Sequence, residues 1–269
     1  MGRRGCPLNI ADKDTYLTDP ARPRSLFSKI FLSPPFTFYS QAFCIVWING
    51  RRALRGVYGS AEWASSSLDI MRALENVGVR FGIDGMDNIR KPDGPAVFIC
   101  NHMSALETFV LPCIIQPVRE VTFIVKESLM TMPVFGPVMR SRDPVVVGRV
   151  NPREDLRTVL EEGTRRLKAC RSIIVFPQST RSVDFRPEEF NTLGIKLASR
   201  AGVPVIPVAL KTDAWGIGRL MKDFGPIDNK KKVHFSFGRP IVISGRGAEE
   251  HEKVVGFIKG KLEEWERSD

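Results

Sequence analysis

The sequence predicts an α/β fold, with a central, largely parallel sheet flanked by helices and an N-terminal helical segment ahead of it. Three observations carry this. Beyond residue 78, short β-branched or apolar runs alternate with helical patterns, the signature of a layered α/β domain. Hydrophobic residues make up 43% of the 269 positions, enough for a real core and too many for a disordered chain. The mean hydropathy of −0.10 excludes a polytopic membrane protein. The length suits one large domain with an appendage. We divide it into an N-terminal arm with helices over 1–78 and a second unit over 79–269.

The elements follow in order. Residues 1–35 hold Pro7, Pro20, Pro23, Pro34 and Pro35 without a clear period and read as an irregular arm. The aromatic segment Phe36–Ile48 comes next. As a helix it would extend about 20 Å, against ~30 Å of bilayer hydrocarbon. Arg51, Arg52 and Arg55 follow directly. An apolar segment ending in cations suits a helix lying in a membrane interface; it equally suits a core helix with a solvated basic end. Residues 61–77 are helical by the spacing of Leu68, Met71, Leu74 and Val77, and Gly78 is the stop. The strand candidates are Val79–Ile83, Ala96–Cys100, Val121–Val125, Pro144–Val147, Ser172–Phe176, Val203–Leu210 and Val233–Phe237. The helix candidates are Ser104–Ile115, Pro152–Ala169, Pro187–Ala201 and Ala248–Trp265, the last with a core stripe of Val254, Val255, Ile258, Leu262 and Trp265.

The formal net charge of +10 calls for an anionic partner: nucleic acid, an anionic membrane surface or a phosphorylated substrate. An excess of six cations lies in the first 60 residues, beside the aromatic segment. The cysteines, Cys6, Cys44, Cys100, Cys113 and Cys170, are scattered and lack CxxC spacing, so neither a disulfide framework nor a zinc site is expected. The basic start has no apolar stretch behind it and is not a signal peptide. No glycine-rich phosphate loop, HExxH or carboxylate cluster is present, and no aromatic and basic interleaving of the kind that binds RNA.

Three polar clusters each follow an apolar strand: Asn101-His102, Gly148-Arg149, and Pro177 through Ser182. In open α/β sheets, sites form at the carboxyl ends of strands, so the three can converge on one pocket. Histidine suits general-base work near neutral pH. On one continuous helix, His102 and Glu107 would lie about 140° apart and could not pair. They can pair if His102 sits in the turn before the helix. The competing reading makes Ser104 and Glu107 a capping box and His102 a hydrogen-bonded loop residue. Cys100, beside His102, reads as a small core residue more readily than as a nucleophile. The Ser179-Thr180-Arg181 stretch is an anion cradle or a polar surface loop, and Arg149 a second phosphate contact or a solvated charge.

Together these residues resemble the glycerolipid acyltransferase family, the 1-acylglycerol-3-phosphate acyltransferases in particular. Asn101-His102-Met103-Ser104-Ala105-Leu106-Glu107 is similar to the family's Asn-His-x-Ser-x-x-Asp block. Lys126 through Gly136 resembles the Lys-x-x-Leu…Pro-x-x-Gly segment, Pro144–Arg149 an apolar strand ending in Arg, and Phe176–Ser182 the block written FPEGTRS. Val203–Val208 resembles the short apolar proline block near the acyl site, which marks Pro207. The likeness spans about residues 79–240. It departs at Glu107, one methylene longer than Asp, and at Gln178-Ser179, which stand for Glu-Gly.

The resemblance implies an enzyme that moves a fatty acyl group from an acyl thioester to the free hydroxyl of a lysophospholipid, giving phosphatidic acid from 1-acylglycerol 3-phosphate. His102 would be the base and Glu107 its orienting acid. Arg149, Ser179, Thr180 and Arg181 would hold the acceptor phosphate; Asn101, Lys126 and Gln178 would stabilise the oxyanion or support the site. No metal or cofactor is expected beyond acyl-CoA or acyl-carrier protein as co-substrate. The expected partners are an anionic membrane surface, the lysophospholipid acceptor and the acyl thioester donor, with no nucleic acid, at the cytoplasmic face of a membrane. The alternatives are another acceptor, such as a lyso-aminolipid or glycerol 3-phosphate, or a non-catalytic lipid-binding protein.

Overall fold

A computed structural model describes residues 13–21, 34–178, 180–218 and 222–269. Much of the arm therefore lies outside the described residues, as do Cys6 and Ser179. Eight strands form one sheet: β1 (Tyr16–Leu17), β2 (Arg80–Asp84), β3 (Val97–Cys100), β4 (Val121–Lys126), β5 (Val145–Val147), β6 (Ser172–Val175), β7 (Val205–Lys211) and β8 (Lys232–Phe237). Their spatial order is β1-β2-β8-β7-β3-β6-β4-β5. From β7 to β5 every pairing is parallel. β8 runs antiparallel to β7, and β2 runs with β8. All seven strand candidates are present within a residue or two of their expected ends. The arm, expected to be irregular, contributes β1, which pairs antiparallel with β2.

The central strands β3, β6 and β7 are buried on both faces, which is why they read as continuous apolar runs rather than alternating ones. Alternate residues feed two separate cores. On one face Phe98, Cys100, Ile206, Val208 and Leu210 pack under α1 (Pro34–Leu54), α2 (Ser60–Asn76) and α4 (Leu106–Ile115). On the other, Val97, Ile99, Val205 and Ala209 pack under α7 (Pro152–Lys168), α8 (Leu193–Ala201) and α9 (Ala248–Ser268). Short helices α3 (Asp87–Arg90), α5 (Glu127–Met130) and α6 (Gly136–Arg140) fill the connections.

Two helices differ from expectation. The candidate Pro187–Ala201 is split: a 3-10 turn covers Pro187–Glu189, and α8 starts only at Leu193. Asn191 causes the break, since its side-chain oxygen takes the Leu193 amide at 2.9 Å and its amide donates to the Pro177 carbonyl. A local side-chain bond thus outcompetes the helical one. α1 is longer than the aromatic run, extending through Arg51 and Arg52 to Leu54, about 31 Å at 1.5 Å per residue. Among the described residues no helix is long and apolar enough to cross a membrane. Gly78 does end α2: it sits at φ 100°, a backbone conformation open to glycine, and its amide donates to the Glu75 carbonyl at 2.9 Å.

Candidate active site

Because β7, β3, β6, β4 and β5 are adjacent and parallel, their carboxyl ends line one edge of the sheet. The residues that follow them are Thr212 after β7, Asn101-His102 after β3, Phe176–Gln178 after β6, Lys126 at the end of β4, and Gly148-Arg149 after β5.

His102 lies in the turn between β3 and α4, off the helix. That turn folds back so that its Nδ1 meets Glu107 Oε1 at 2.8 Å. Glu107 is fully buried. The same oxygen takes the Met103 amide at 2.8 Å and the Ser104 amide at 2.9 Å. Oε2 accepts from the Thr212 hydroxyl at 2.6 Å and lies 2.9 Å from Ser104 Oγ. Dyad and helix cap are therefore one carboxylate doing both jobs, and the longer Glu side chain reaches both sets of donors. Burial pushes the Glu107 carboxyl up. The hydrogen bond and charge of His102, the Thr212 hydroxyl and the Ser104 amide outweigh burial and hold it below its ordinary value, so it is ionised at neutral pH. An ionised carboxylate only accepts. In the neutral ring Nδ1 therefore carries the proton and Nε2 the lone pair.

Three further contacts fix the histidine. Its backbone amide donates to Gln178 Oε1 at 2.6 Å. Its carbonyl accepts the Ser182 amide at 2.9 Å. Its ring stacks on Phe176, centroids 4.2 Å apart and 23° between planes. The Asn101 side chain exchanges two 2.8 Å bonds with the Leu210 backbone and extends the β3–β7 ladder as a strut. Cys100 is buried among core residues, and burial, then the Glu107 charge, pushes its thiol well above the ordinary range. A protonated, enclosed thiol is no nucleophile.

The cations sit around this centre at different removes. Arg181 is one residue from the Ser182 amide that holds His102, and its guanidinium forms an ion pair with Asp223. Thr180 is exposed beside it. Lys126 is exposed two strands from β3, about 10 Å by strand spacing. Arg149 is exposed three strands away, about 14 Å. It sits at φ 60°, rare for a side chain of this size. Asp155 holds that conformation by taking the Gly148 and Arg149 amides at 3.0 and 2.9 Å. Pro207 is not brought to the site. It lies mid-strand in β7 opposite Ile99, buried, with its carbonyl taken by Gly238.

Sequence reasoning missed Thr212, Phe176 and Asp223 as parts of the site. Thr212 was within reach, since it follows the apolar run Val203–Leu210 just as the other clusters follow theirs. A small cleft of about 40 Å³ lies between α1, α2, α4 and α6, lined by Ile45, Trp63, Ile70, Phe109, Phe135 and Met139 among others.

Residues 80–211 match the family model described as Acyltransferase. The chain is 29% identical over 184 residues to a 1-acyl-sn-glycerol-3-phosphate acyltransferase of Pseudomonas aeruginosa, covering 68% of each protein. It is 32% identical over 139 residues to a chloroplastic 1-acyl-sn-glycerol-3-phosphate acyltransferase of Brassica napus, covering 52% of this chain and 38% of that one. Among solved structures, the 1-acyl-sn-glycerophosphate acyltransferase of Thermotoga maritima superposes with a TM-score of 0.65 at 24% identity, over 86% of this chain and 94% of that one, a likeness of fold. The matched segment runs from β2 through β7 and encloses the His102–Glu107 turn, and residues 80–211 are an acyltransferase-family domain.

Proposed function

We propose that the protein transfers a fatty acyl group from an acyl thioester to the free hydroxyl of 1-acylglycerol 3-phosphate, giving phosphatidic acid. One observation carries this reading: a histidine whose Nδ1 is locked to a buried, ionised carboxylate, with Nε2 left as base, next to an arginine on the adjoining loop.

Nε2 of His102 takes the proton of the glycerol hydroxyl as that oxygen attacks the thioester carbonyl. The tetrahedral intermediate collapses, the C–S bond breaks, and the imidazolium returns its proton to the leaving thiolate. An alcohol is too weak an acid to ionise alone at neutral pH, so a base in contact contributes about 10²–10⁴-fold. Glu107 holds the ring in the required tautomer and stabilises the imidazolium. Arg181 binds the acceptor phosphate and so fixes which hydroxyl meets His102, with Arg149 placed to assist from the sheet edge. The site needs no cofactor beyond the thioester, from acyl-CoA or acyl-carrier protein.

In this reading residues 79–269 supply the chemistry and the preceding segment faces the lipid. Phe36, Phe43, Trp47, Ile48 and Leu54 are exposed along α1, with Arg51, Arg52 and Arg55 at its end. This supports attachment to an anionic membrane surface, at the cytoplasmic face, without spanning it.

The test is acyl transfer from acyl-CoA to 1-acylglycerol 3-phosphate, with His102→Ala beside wild type. Turnover in the wild type and a loss of about 10²–10⁴-fold in the variant are expected. Unchanged turnover in His102→Ala would remove the base assignment.

A further inference from the structure

Arg181 already has an anion on one arm of its guanidinium. The Asp223 carboxylate pairs with its Nη1, the guanidinium one quarter exposed and the carboxylate about half. This contact closes a ring of residues around the dyad. Thr212 donates to Glu107, and Trp215, three residues on, donates its indole N–H to the Asp223 carbonyl at 3.1 Å. Asp223 meets Arg181, and the neighbouring Ser182 amide is bonded to His102.

The Asp223 backbone does not depend on its own carboxylate for placement. The Trp215 bond goes to its carbonyl, and Trp215 is buried and stacked on Phe109, centroids 5.6 Å apart. Two residues on, the Gly225 carbonyl takes the Tyr39 hydroxyl of α1 at 2.6 Å. The side chain is thus presented to Arg181 by a backbone that other groups fix.

We propose that Asp223 is an internal competitor for the phosphate of the acceptor, setting how tightly Arg181 holds both acceptor and product. The proposal rests on the role given to Arg181 above. A carboxylate and a phosphate compete for the same guanidinium and repel each other, so a phosphate takes the whole fork only when Asp223 gives up Nη1. Acceptor and product carry the same phosphomonoester. The displaced carboxylate therefore opposes both, and by refilling the fork it helps to expel the product. An exposed ion pair is weak, so the barrier it sets is small, about fivefold in affinity.

The test compares wild type, Asp223→Asn, Arg181→Ala and the double variant. Acyl transfer is measured to 1-acylglycerol 3-phosphate, to 1-acylglycerol, which lacks the phosphate, and to a zwitterionic lysolipid. Asp223→Asn is expected to lower the KM for the phosphorylated acceptor about fivefold and to tighten inhibition by phosphatidate alike, the change lying in KM rather than kcat. The effect should be absent with 1-acylglycerol and absent in the Arg181→Ala background. A carboxylate that merely braced the loop would give the opposite sign, a raised KM together with a lower melting temperature. That outcome overturns the proposal, as does an unchanged KM. So does a loss confined to a zwitterionic lysolipid, which would make Asp223 an ammonium contact. Calorimetry with glycerol 3-phosphate against glycerol supplies an arm that needs no turnover: Asp223→Asn should bind glycerol 3-phosphate about fivefold more tightly. If wild type does not acylate the lysophospholipid, the functional reading fails, and this binding arm still decides Asp223.

Discussion

Glu107 is the residue on which most depends. A buried charge is tolerable only when its hydrogen-bond capacity is filled, and the His102 ring, two backbone amides and the Thr212 hydroxyl fill it. Removing the charge should cost activity and stability together. Glu107→Gln keeps the shape but sets an amide N–H against donors. It is expected to lower kcat/KM by about 10²-fold or more and to cost about 1–3 kcal/mol in denaturant unfolding. A stability loss with full specific activity would leave Glu107 as a cap alone. The pH dependence has a definite sign. The folded-state pKa is held below the ordinary 4.5, so the stabilisation is present above that value and is lost as pH falls through the folded pKa. The stability gap between wild type and Glu107→Gln should start to narrow as pH falls below 4.5 and close as it passes the lower folded pKa. A gap that stayed independent of pH throughout acidification would count against the ionised state.

At the scale of elements, α1 is apolar on two sides. Phe38 and Ala42 are buried against the sheet-side core, while Phe36, Phe43, Trp47, Ile48 and Leu54 are exposed, with Phe43 and Trp47 stacked 6.0 Å apart. A helix packed only as a core element would not keep its aromatic residues outward. The core-helix reading of the aromatic run accounts for its buried face, and the exposed face is the one that the proposed interfacial role would lay on lipid. Burying a large aromatic is worth ~1.5–3 kcal/mol, and 1.4 kcal/mol is tenfold in affinity. The double variant Phe43→Ser with Trp47→Ser should therefore weaken co-sedimentation with anionic vesicles at least about tenfold while leaving the melting temperature near wild type. Equal sedimentation would show that this stripe does not dock. Raising salt should weaken binding further through Arg51, Arg52 and Arg55.

At the scale of the whole molecule, the closing helix α9 is tied to the sheet by a charge cluster as well as by its apolar stripe. The Asp269 side chain pairs with Lys211 of β7 at 2.5 Å and with Lys232 and His234 of β8 at 3.1 and 3.2 Å. Burial opposes its ionisation, but these three partners hold the carboxyl at about 2. Its contribution is therefore complete above the ordinary 3.8 and is lost as pH falls towards 2. Asp269→Asn should lower the melting temperature at pH 7 by a few degrees, with the difference vanishing near pH 2. A constant difference across that range would show that the pairing contributes nothing.

Much of this protein was legible in its amino-acid order because local physics wrote it there. Strands buried on both faces must be continuous apolar runs, and a glycine at positive φ stops a helix. A histidine and an acid five residues apart meet once the chain turns between them. What could not be read is what strand order decides. Thr212 reaches Glu107 because β7 lies beside β3, and Gln178 and Phe176 grip His102 because β6 lies on its other side. Arg149 and Lys126, equal candidates in the sequence, are set farther off because β4 and β5 come last in the sheet. Pro207 is drawn away because it points into mid-strand packing. Those placements arise from contacts between residues more than 70 positions apart, or from the order in which separate strands stack, and no local pattern encodes either.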